Sequence, residues 1–339
     1  MKIFSGSSNF DFSNKVATSM GIELSNIDID KFKDGEVKIS VGENVRGEDC
    51  FIIQSTCRSV IPFNESDGCF PSVNDNIMEM FIIVDALKRG SAKTVNLVIP
   101  YFGYQRQDRK DYSRAPISAS VIARMIEAVN VNRVMIFDLH AGQISGFFSN
   151  NCPVDNLYSE PYFVDYIKRE IKDDVIFVAP DAGAMKTNFR FAQQFGAETC
   201  SIFKHRVNGV IDHMSIIGDV SGKRVIMIDD MIDTAGTICK ASKLLKEKGA
   251  LEIHVFATHG LFSGEAVKNI NESDISKVVI TNTVPNNDTV LGPETKISQI
   301  DVSHMCAEAI TRLVKGESIS HLYQNYVVNS SFIPIASSN

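Results

Sequence analysis

Short apolar runs recur along the chain, and the stretches between them carry apolar residues at helical spacing, so that the two periods alternate from one end to the other. The segments CFIIQS (50–55), TVNLVIP (94–100), RVMIFD (133–138), VIFVAP (175–180), RVIMID (224–229), EIHVFATH (252–259) and KVVITN (277–282) read as strands of the kind buried on both faces. Among the intervening helices, NIMEMFIIVDALKRG (76–90) sets Ile77, Met80, Phe81, Val84 and Leu87 on one face, with Lys88 and Arg89 near its end and Gly90 as the stop. TICKASKLLKEKGA (237–250) repeats that design before Gly249. PISASVIARMIEAV (116–129) begins with Pro116, which suits a first helical position. The alternation predicts an α/β chain, with mostly parallel sheets flanked by helices.

Other stretches punctuate this pattern. KFKDGEVKIS (31–40) has alternating flanks around Asp34-Gly35 and reads as a hairpin. RSVIPFNESDGCFPSVNDN (58–76) looks like an inserted surface loop. At 339 residues the chain suffices for about two domains. NNCPVDN (150–156) offers a polar, proline-containing boundary between them, and the likeness of RVMIFD to RVIMID hints at duplication.

Composition narrows the class. A hydrophobic content of 44% with mixed charge is globular. A net charge of −7 and an isoelectric point near 5.6 argue against a general nucleic-acid or anionic-membrane surface, while leaving room for a local basic pocket. The seven cysteines are scattered and form no CxxC pair, which suits a reducing compartment. MKIFSGSSNFDF has no long apolar core and passes into a strand-like segment, and no apolar run approaches the length of a membrane span, so a cytoplasmic protein is expected.

The chemistry concentrates in VIMIDDMIDTAGT (225–237), where an apolar strand runs into Asp229, Asp230 and Asp233. Ligands of open parallel sheets lie beyond the carboxyl ends of the strands, so these acids face a crevice. Asp233, Thr234, Ala235, Gly236 and Thr237 supply hydroxyls, a flexible glycine and backbone N–H groups leading into a helix, a setting for a phosphate monoester. Asp229 and Asp230 can accept from sugar hydroxyls or recruit a divalent cation. An ordinary βα loop with an N-cap and solvated acids fits the spacing equally well.

The whole string resembles the phosphoribosyl-diphosphate-binding motif of the type I phosphoribosyltransferase fold. In order, NVRGEDCFIIQSTC (44–57), YFGYQRQDRKDYSRAPISA (101–119), DLHAGQISGFF (138–148), APDAGA (179–184) and DDMIDTAGT (229–237) resemble the ribose-phosphate diphosphokinase family, from residue 1 to about 325. The resemblance implies two tandem phosphoribosyltransferase-like domains, 1–156 with the ATP elements and 157–311 with the ribose 5-phosphate and diphosphate loops. A segment 312–325 would return to the first domain, followed by a tail, 326–339. It also implies an enzyme that moves the diphosphoryl group of Mg-ATP to ribose 5-phosphate, with magnesium as cofactor.

The same resemblance assigns the residues. Phe32, Asp34, Gly35 and Glu36 correspond to an adenine site, where a phenyl face can stack and carboxylates can accept from an amino group. Arg106, Gln107 and Asp108 fall in a flexible lid over ATP, with Arg109, Lys110 and Arg114 available to phosphates. His140 and Asp181 would hold magnesium, with Asp138 as a further candidate, and His140 also belongs to the ATP site. Asp181, Ala182, Gly183 and Ala184 would form the diphosphate loop, Ala184 standing where the family usually has Gly. Lys204 and Arg206, two apart in SIFKHRVNG (201–209), match a catalytic pair on a mobile flap, Arg206 also reaching ribose 5-phosphate. Asp229, Asp230 and residues 233–237 would bind that sugar phosphate. Arg46, Ser113, Arg114, Ser318 and Ser320 match regulatory phosphate positions. Dimers assembling into a hexamer, ADP inhibition and phosphate activation are implied as well.

Two other classes share parts of the pattern. A phosphoribosyltransferase has the DDMIDTAGT loop but needs no adenine site, and a non-catalytic synthetase-associated protein keeps the fold while losing active-site residues. The 58–73 stretch, Ser149 where an acid often stands and the tail after Gln324 depart from the family pattern.

Overall fold

In the computed structural model the described residues are 1–60, 70–171, 174–207 and 210–325; the side chains of 204–207, 210–213, 324 and 325 also lie outside the description. The chain forms two compact units, one of Met1–Tyr158, Thr283–Pro285 and Val302–Gln324, the other built on Ser159–Asn282 and Asn286–Asp301. The sequence places a return to the first unit at 312; the helix Ser303–Lys315 already belongs there, packed on the helix Phe10–Ser19.

In the first unit β1 (Lys2–Ser5), β4 (Asp49–Ile53), β5 (Thr94–Ile99), β6 (Arg133–Phe137) and β7 (Val154–Leu157) form a parallel sheet in that spatial order. Its central strands are mostly apolar because helices cover both faces, and Phe4, Ile52, Leu97 and Ile136 share one core with Ile77, Met80, Phe81, Val84 and Leu87. The helix carrying those five residues runs Val73–Arg89, three residues longer at its start than its apolar stripe predicts. The reason is a capping box: the Ser72 hydroxyl accepts from the Asp75 N–H while the Asp75 carboxylate accepts from the Ser72 N–H. Pro116 falls outside its helix, Ser118–Ala128, since Ile117 takes the cap position. The predicted hairpin is present as β2 (Ile27–Lys31) and β3 (Val37–Val41), antiparallel, with Gly35 at φ +96° in a turn that closes through the Phe32 N–H to Glu36 carbonyl bond.

The second unit holds β8 (Val175–Ala179), β9 (Thr199–Val207), β10 (Val210–Ile217), β11 (Arg224–Ile232), β12 (Glu252–Gly260), β13 (Lys277–Thr281) and β14 (Ile297–Ile300). Their spatial order is β10-β9-β8-β11-β12-β13-β14, parallel except for the β9–β10 edge. From β8 the chain proceeds to β9 and β10 on one side and then restarts at β11 toward the other. The strand order thus reverses between β8 and β11, the place where open α/β sheets open a ligand crevice.

Three strands escaped the sequence pattern, β7, β10 and β14, and all three are sheet edges. An edge strand buries one face and one ladder, so VDNL and ISQI tolerate polar residues that a central strand does not.

On the covered face of the second unit, Phe256 lies fully buried with its ring 5.5 Å from Phe163 and 5.7 Å from Tyr166, both edge-on. Phe256→Ala should therefore destabilise this unit by about 3–5 kcal/mol, read as a lower urea midpoint; an unchanged midpoint contradicts the packing described.

Candidate functional site

The crevice between β8 and β11 collects the candidate residues of the second unit. β11 delivers Asp229 and Asp230 at its carboxyl end, both partly open to solvent, after the fully buried run Val225–Ile228. The Asp229 carboxylate accepts from the Asp230 N–H at 2.9 Å. Burial, then the Asp230 charge and hydrogen bond, then the Asp181 charge push the Asp229 carboxyl well above the usual carboxylate range. The acids of the 225–237 motif are therefore not simply solvated: Asp229 tends to keep its proton until a cation or a donated hydroxyl hydrogen bond stabilises the carboxylate.

Beyond β11 the chain turns through residues 233–235. The Ile232 carbonyl accepts from the Leu261 N–H at 2.8 Å and the Asp233 carbonyl from the Ser263 N–H at 3.1 Å, so the turn is sewn to the end of β12. Ala235, at φ +60°, takes the left-handed conformation as the N-cap of the helix Gly236–Glu247. A positive φ is costly for alanine, and here it leaves the first N–H groups of a twelve-residue helix facing out of the turn. A Cβ built at Gly236 meets only the Thr234 hydroxyl, at 3.9 Å, so space lies open above the loop. Thr234 is exposed and Thr237 partly so, which leaves hydroxyls at the rim.

Across the crevice, residues 181–184 form a turn after β8, with the Asp181 carboxylate accepting from the N–H groups of Gly183 at 3.0 Å and Ala184 at 3.2 Å. Ala182 and Gly183 are exposed, while Ala184 is buried and caps the helix Met185–Phe195 at φ −81°. That conformation is open to any L-residue, so alanine in place of glycine introduces no strain.

Asn188 on this helix was not singled out from sequence. Its side chain, 1% exposed, donates to the carbonyls of Ala184 at 2.9 Å and Ile228 at 2.8 Å and accepts from the Ile228 N–H at 3.1 Å. The available signal was a polar residue within an otherwise apolar buried face, Asn188 with Phe191 and Ala192.

Lys204 and Arg206 lie in β9, opposite Met214 and Ile211 of β10, with a register shift between Ile211 and His213. Their side chains fall outside the described ones, as do residues 208 and 209 of the expected flap.

In the first unit the lid segment and the 138–143 segment meet. Gln105, fully buried, accepts from the His140 N–H at 3.0 Å through its side-chain oxygen, while its amide nitrogen has no acceptor among the described residues. Asp108, also buried, accepts from the Gln143 side chain. These two anchors hold the base of the loop, and Arg106, Gln107 and the whole of 109–114 are exposed between and beyond them. His140 is exposed, and Asp138, at the end of β6, sits at φ +37°. Of the expected metal ligands, His140 and Asp138 thus belong to the first unit and Asp181 to the second.

The hairpin turn places Phe32 in solvent, 52% exposed, with the Lys38 ammonium 5.9 Å from its ring centroid. Arg46, Ser113, Arg114, Ser318 and Ser320 are all exposed.

Among the described residues no three His, Cys, Asp or Glu side chains are grouped to hold a metal ion by themselves. The expected donors are the carboxylates of Asp138 and Asp181 and the imidazole of His140, and carboxylate oxygens suit a hard cation whose shell is completed by other oxygens and water.

The raised Asp229 carboxyl has a sign. Between its unfolded and folded values the folded protein holds the extra proton, so the contribution of this group to stability is greatest below the unfolded value and is lost as pH rises through the folded value. Asp229→Asn should remove that fall and raise the melting temperature at pH 7 to 8 by a few degrees; a parallel pH dependence in the two proteins contradicts the buried-acid description.

Two family models match the chain. Residues 1–129 match the family model described as the N-terminal domain of ribose phosphate pyrophosphokinase, and residues 199–324 match that of a phosphoribosyl synthetase-associated domain. The chain is 42% identical over 323 residues to a ribose-phosphate pyrophosphokinase of Wolinella succinogenes, covering 95% of this chain and 98% of that protein. It is 39% identical over 326 residues to ribose-phosphate pyrophosphokinase A of Dictyostelium discoideum, covering 96% and 98%. Among solved structures, phosphoribosylpyrophosphate synthetase from Mycobacterium smegmatis aligns with a TM-score of 0.83 at 32% identity, over 93% of this chain and 99% of that one. Near-complete coverage on both sides, at identities that preserve fold and family, means that the chain belongs to the ribose-phosphate pyrophosphokinase family and is an enzyme of that kind.

Proposed function

We propose that this enzyme transfers the β,γ-diphosphoryl group of Mg-ATP to the anomeric hydroxyl of ribose 5-phosphate, giving 5-phosphoribosyl 1-diphosphate and AMP. The observation that carries this reading is the crevice at the β8–β11 strand-order reversal. There a carboxylate pair, an open hydroxyl-bearing loop and a second turn occupy one sheet end.

Each part has a task in this reaction. The 233–237 loop binds the 5-phosphate through its N–H groups and the Thr234 and Thr237 hydroxyls. Asp229 and Asp230 accept from the ribose hydroxyls, and a sugar diol beside Asp229 stabilises the charged form that burial disfavours. The 181–184 turn presents its exposed backbone to the diphosphoryl group. In the first unit the anchored base at Gln105 and Asp108 carries Arg106 and Gln107 toward ATP, while Phe32, Asp34, Gly35 and Glu36 take the adenine. Lys204 and Arg206 stabilise the charge that develops on the transferring group and on the departing AMP oxygen. Magnesium, when bound, would neutralise charge on the phosphate oxygens and lower the cost of ionising the attacking hydroxyl. His140, Asp138 and Asp181 are the side chains assigned to it. Phosphoryl chemistry of this kind asks for alignment and electrostatics more than for a strong protein base.

The same reading extends to regulation and assembly. Arg46, Ser113, Arg114, Ser318 and Ser320 form the regulatory phosphate positions for ADP and inorganic phosphate, in dimers that assemble to a hexamer. No helix among the described residues is long and apolar enough to cross a membrane.

AMP release from Mg-ATP, measured with and without ribose 5-phosphate, tests the reaction. Release should depend on the sugar phosphate and drop by roughly 100-fold or more in Lys204→Ala, the loss typical of removing one preorganised charge donor. Release independent of ribose 5-phosphate, or none at all, contradicts the proposal.

A further inference from the structure

The carboxyl end of the second sheet is held by a carboxamide that no substrate loop contains. Pairing of β11 with β8 runs from Arg224 opposite Val175 to Ile226 opposite Phe177 and stops. On its other side β11 stays paired with β12 as far as Ile232 opposite Gly260. β8 meanwhile remains joined to β9 up to Ala179 opposite Ser201. The two strands therefore part after Ile226, and this parting opens the crevice.

A parting of this kind leaves backbone groups to satisfy. Along a strand, alternate residues turn their N–H and C=O toward the same neighbour, so Ile228, two beyond Ile226, offers both groups to the side where β8 has withdrawn. Orphaned buried backbone groups are costly, about 1–3 kcal/mol each. Asn188 answers both, accepting from the Ile228 N–H at 3.1 Å and donating to the Ile228 carbonyl at 2.8 Å. Its amide nitrogen also donates to the Ala184 carbonyl at 2.9 Å, at the last residue of the 181–184 turn. One side chain thus replaces the missing ladder rung and ties the turn on one wall of the crevice to the residue before Asp229 on the other.

We propose that Asn188 is a positioning residue: it fixes the spacing between the 181–184 turn and the Asp229–Asp230 edge, and through it the alignment of the acceptor sugar with the diphosphoryl group. This rests on the reaction proposed above. Asn188 touches no reacting atom in this account. Replacing it by leucine, of similar size, strands the Ile228 N–H, the Ile228 carbonyl and one bond of the Ala184 carbonyl, and the gap must then admit water or close. Either outcome shifts the two walls relative to each other, and a displacement of about 1 Å can cost roughly 100-fold in rate.

Steady-state kinetics of Asn188→Leu, run well below its melting temperature, test this. A kcat lowered by roughly 10- to 100-fold with the KM for ATP within about twofold of wild type supports a positioning role. A residue that only holds the fold would lower the melting temperature and leave kcat unchanged, and that result overturns the proposal. If the variant does not accumulate folded, amide exchange in the wild type decides. The Ile228 N–H should exchange as slowly as that of Ile226, and rapid exchange of Ile228 overturns the bridging role. Wild-type enzyme without ribose 5-phosphate-dependent AMP release overturns the underlying reaction, and the alignment role falls with it; wild-type release beside an unaffected variant overturns the role of Asn188 alone.

Discussion

The separation of β8 from β11 after the Ile226–Phe177 pair is the constraint on which the second unit depends. A parallel sheet gains its stability from unbroken ladders and covered faces, and a crevice at its carboxyl edge exists only where one ladder ends early. The ends of both strands then become available: β8 turns into the Asp181–Ala184 loop, and β11 continues alone with β12 to present Asp229 and Asp230. The unsatisfied edge is bridged by Asn188, and burial together with the neighbouring Asp230 charge makes ionisation of Asp229 unfavourable. The disfavoured charge at Asp229 and the left-handed Ala235 both concentrate local strain at this carboxyl end of the sheet.

The first unit solves a different problem, how to keep a strongly charged loop near its sheet without freezing it. Gln105 and Asp108 are buried and bonded to the 140–143 segment, whereas the Arg, Lys and Asp side chains from 109 to 111 are left in water. The loop is thus fixed at its base by buried polar contacts and solvent-exposed beyond it. Phe32 stands exposed on its five-residue turn with the Lys38 ammonium over its ring.

Much of this was legible in the chain, for identifiable reasons. Central strands such as VIMI and FVA announce themselves because both faces are buried, and the DDMIDTAGT string marks the β11 turn through its acids and hydroxyls. Edge strands were not legible: β7, β10 and β14 carry polar residues that half-buried strands tolerate. The helix Ser303–Lys315 shows its amphipathic stripe, but a stripe does not name the unit it packs on. Asn188 was invisible for a related reason. A single asparagine on a helix face acquires meaning only from the backbone across from it, and that backbone lies forty residues further along the chain at Ile228.

The central claim, that the β8–β11 crevice receives ribose 5-phosphate, is tested most directly by amide exchange of the wild-type protein with and without that ligand. The account predicts slowed exchange confined chiefly to residues 229–238, where the acid pair, the turn and the first turn of the following helix present their N–H groups. Binding that leaves this stretch unchanged while protecting another region would contradict it.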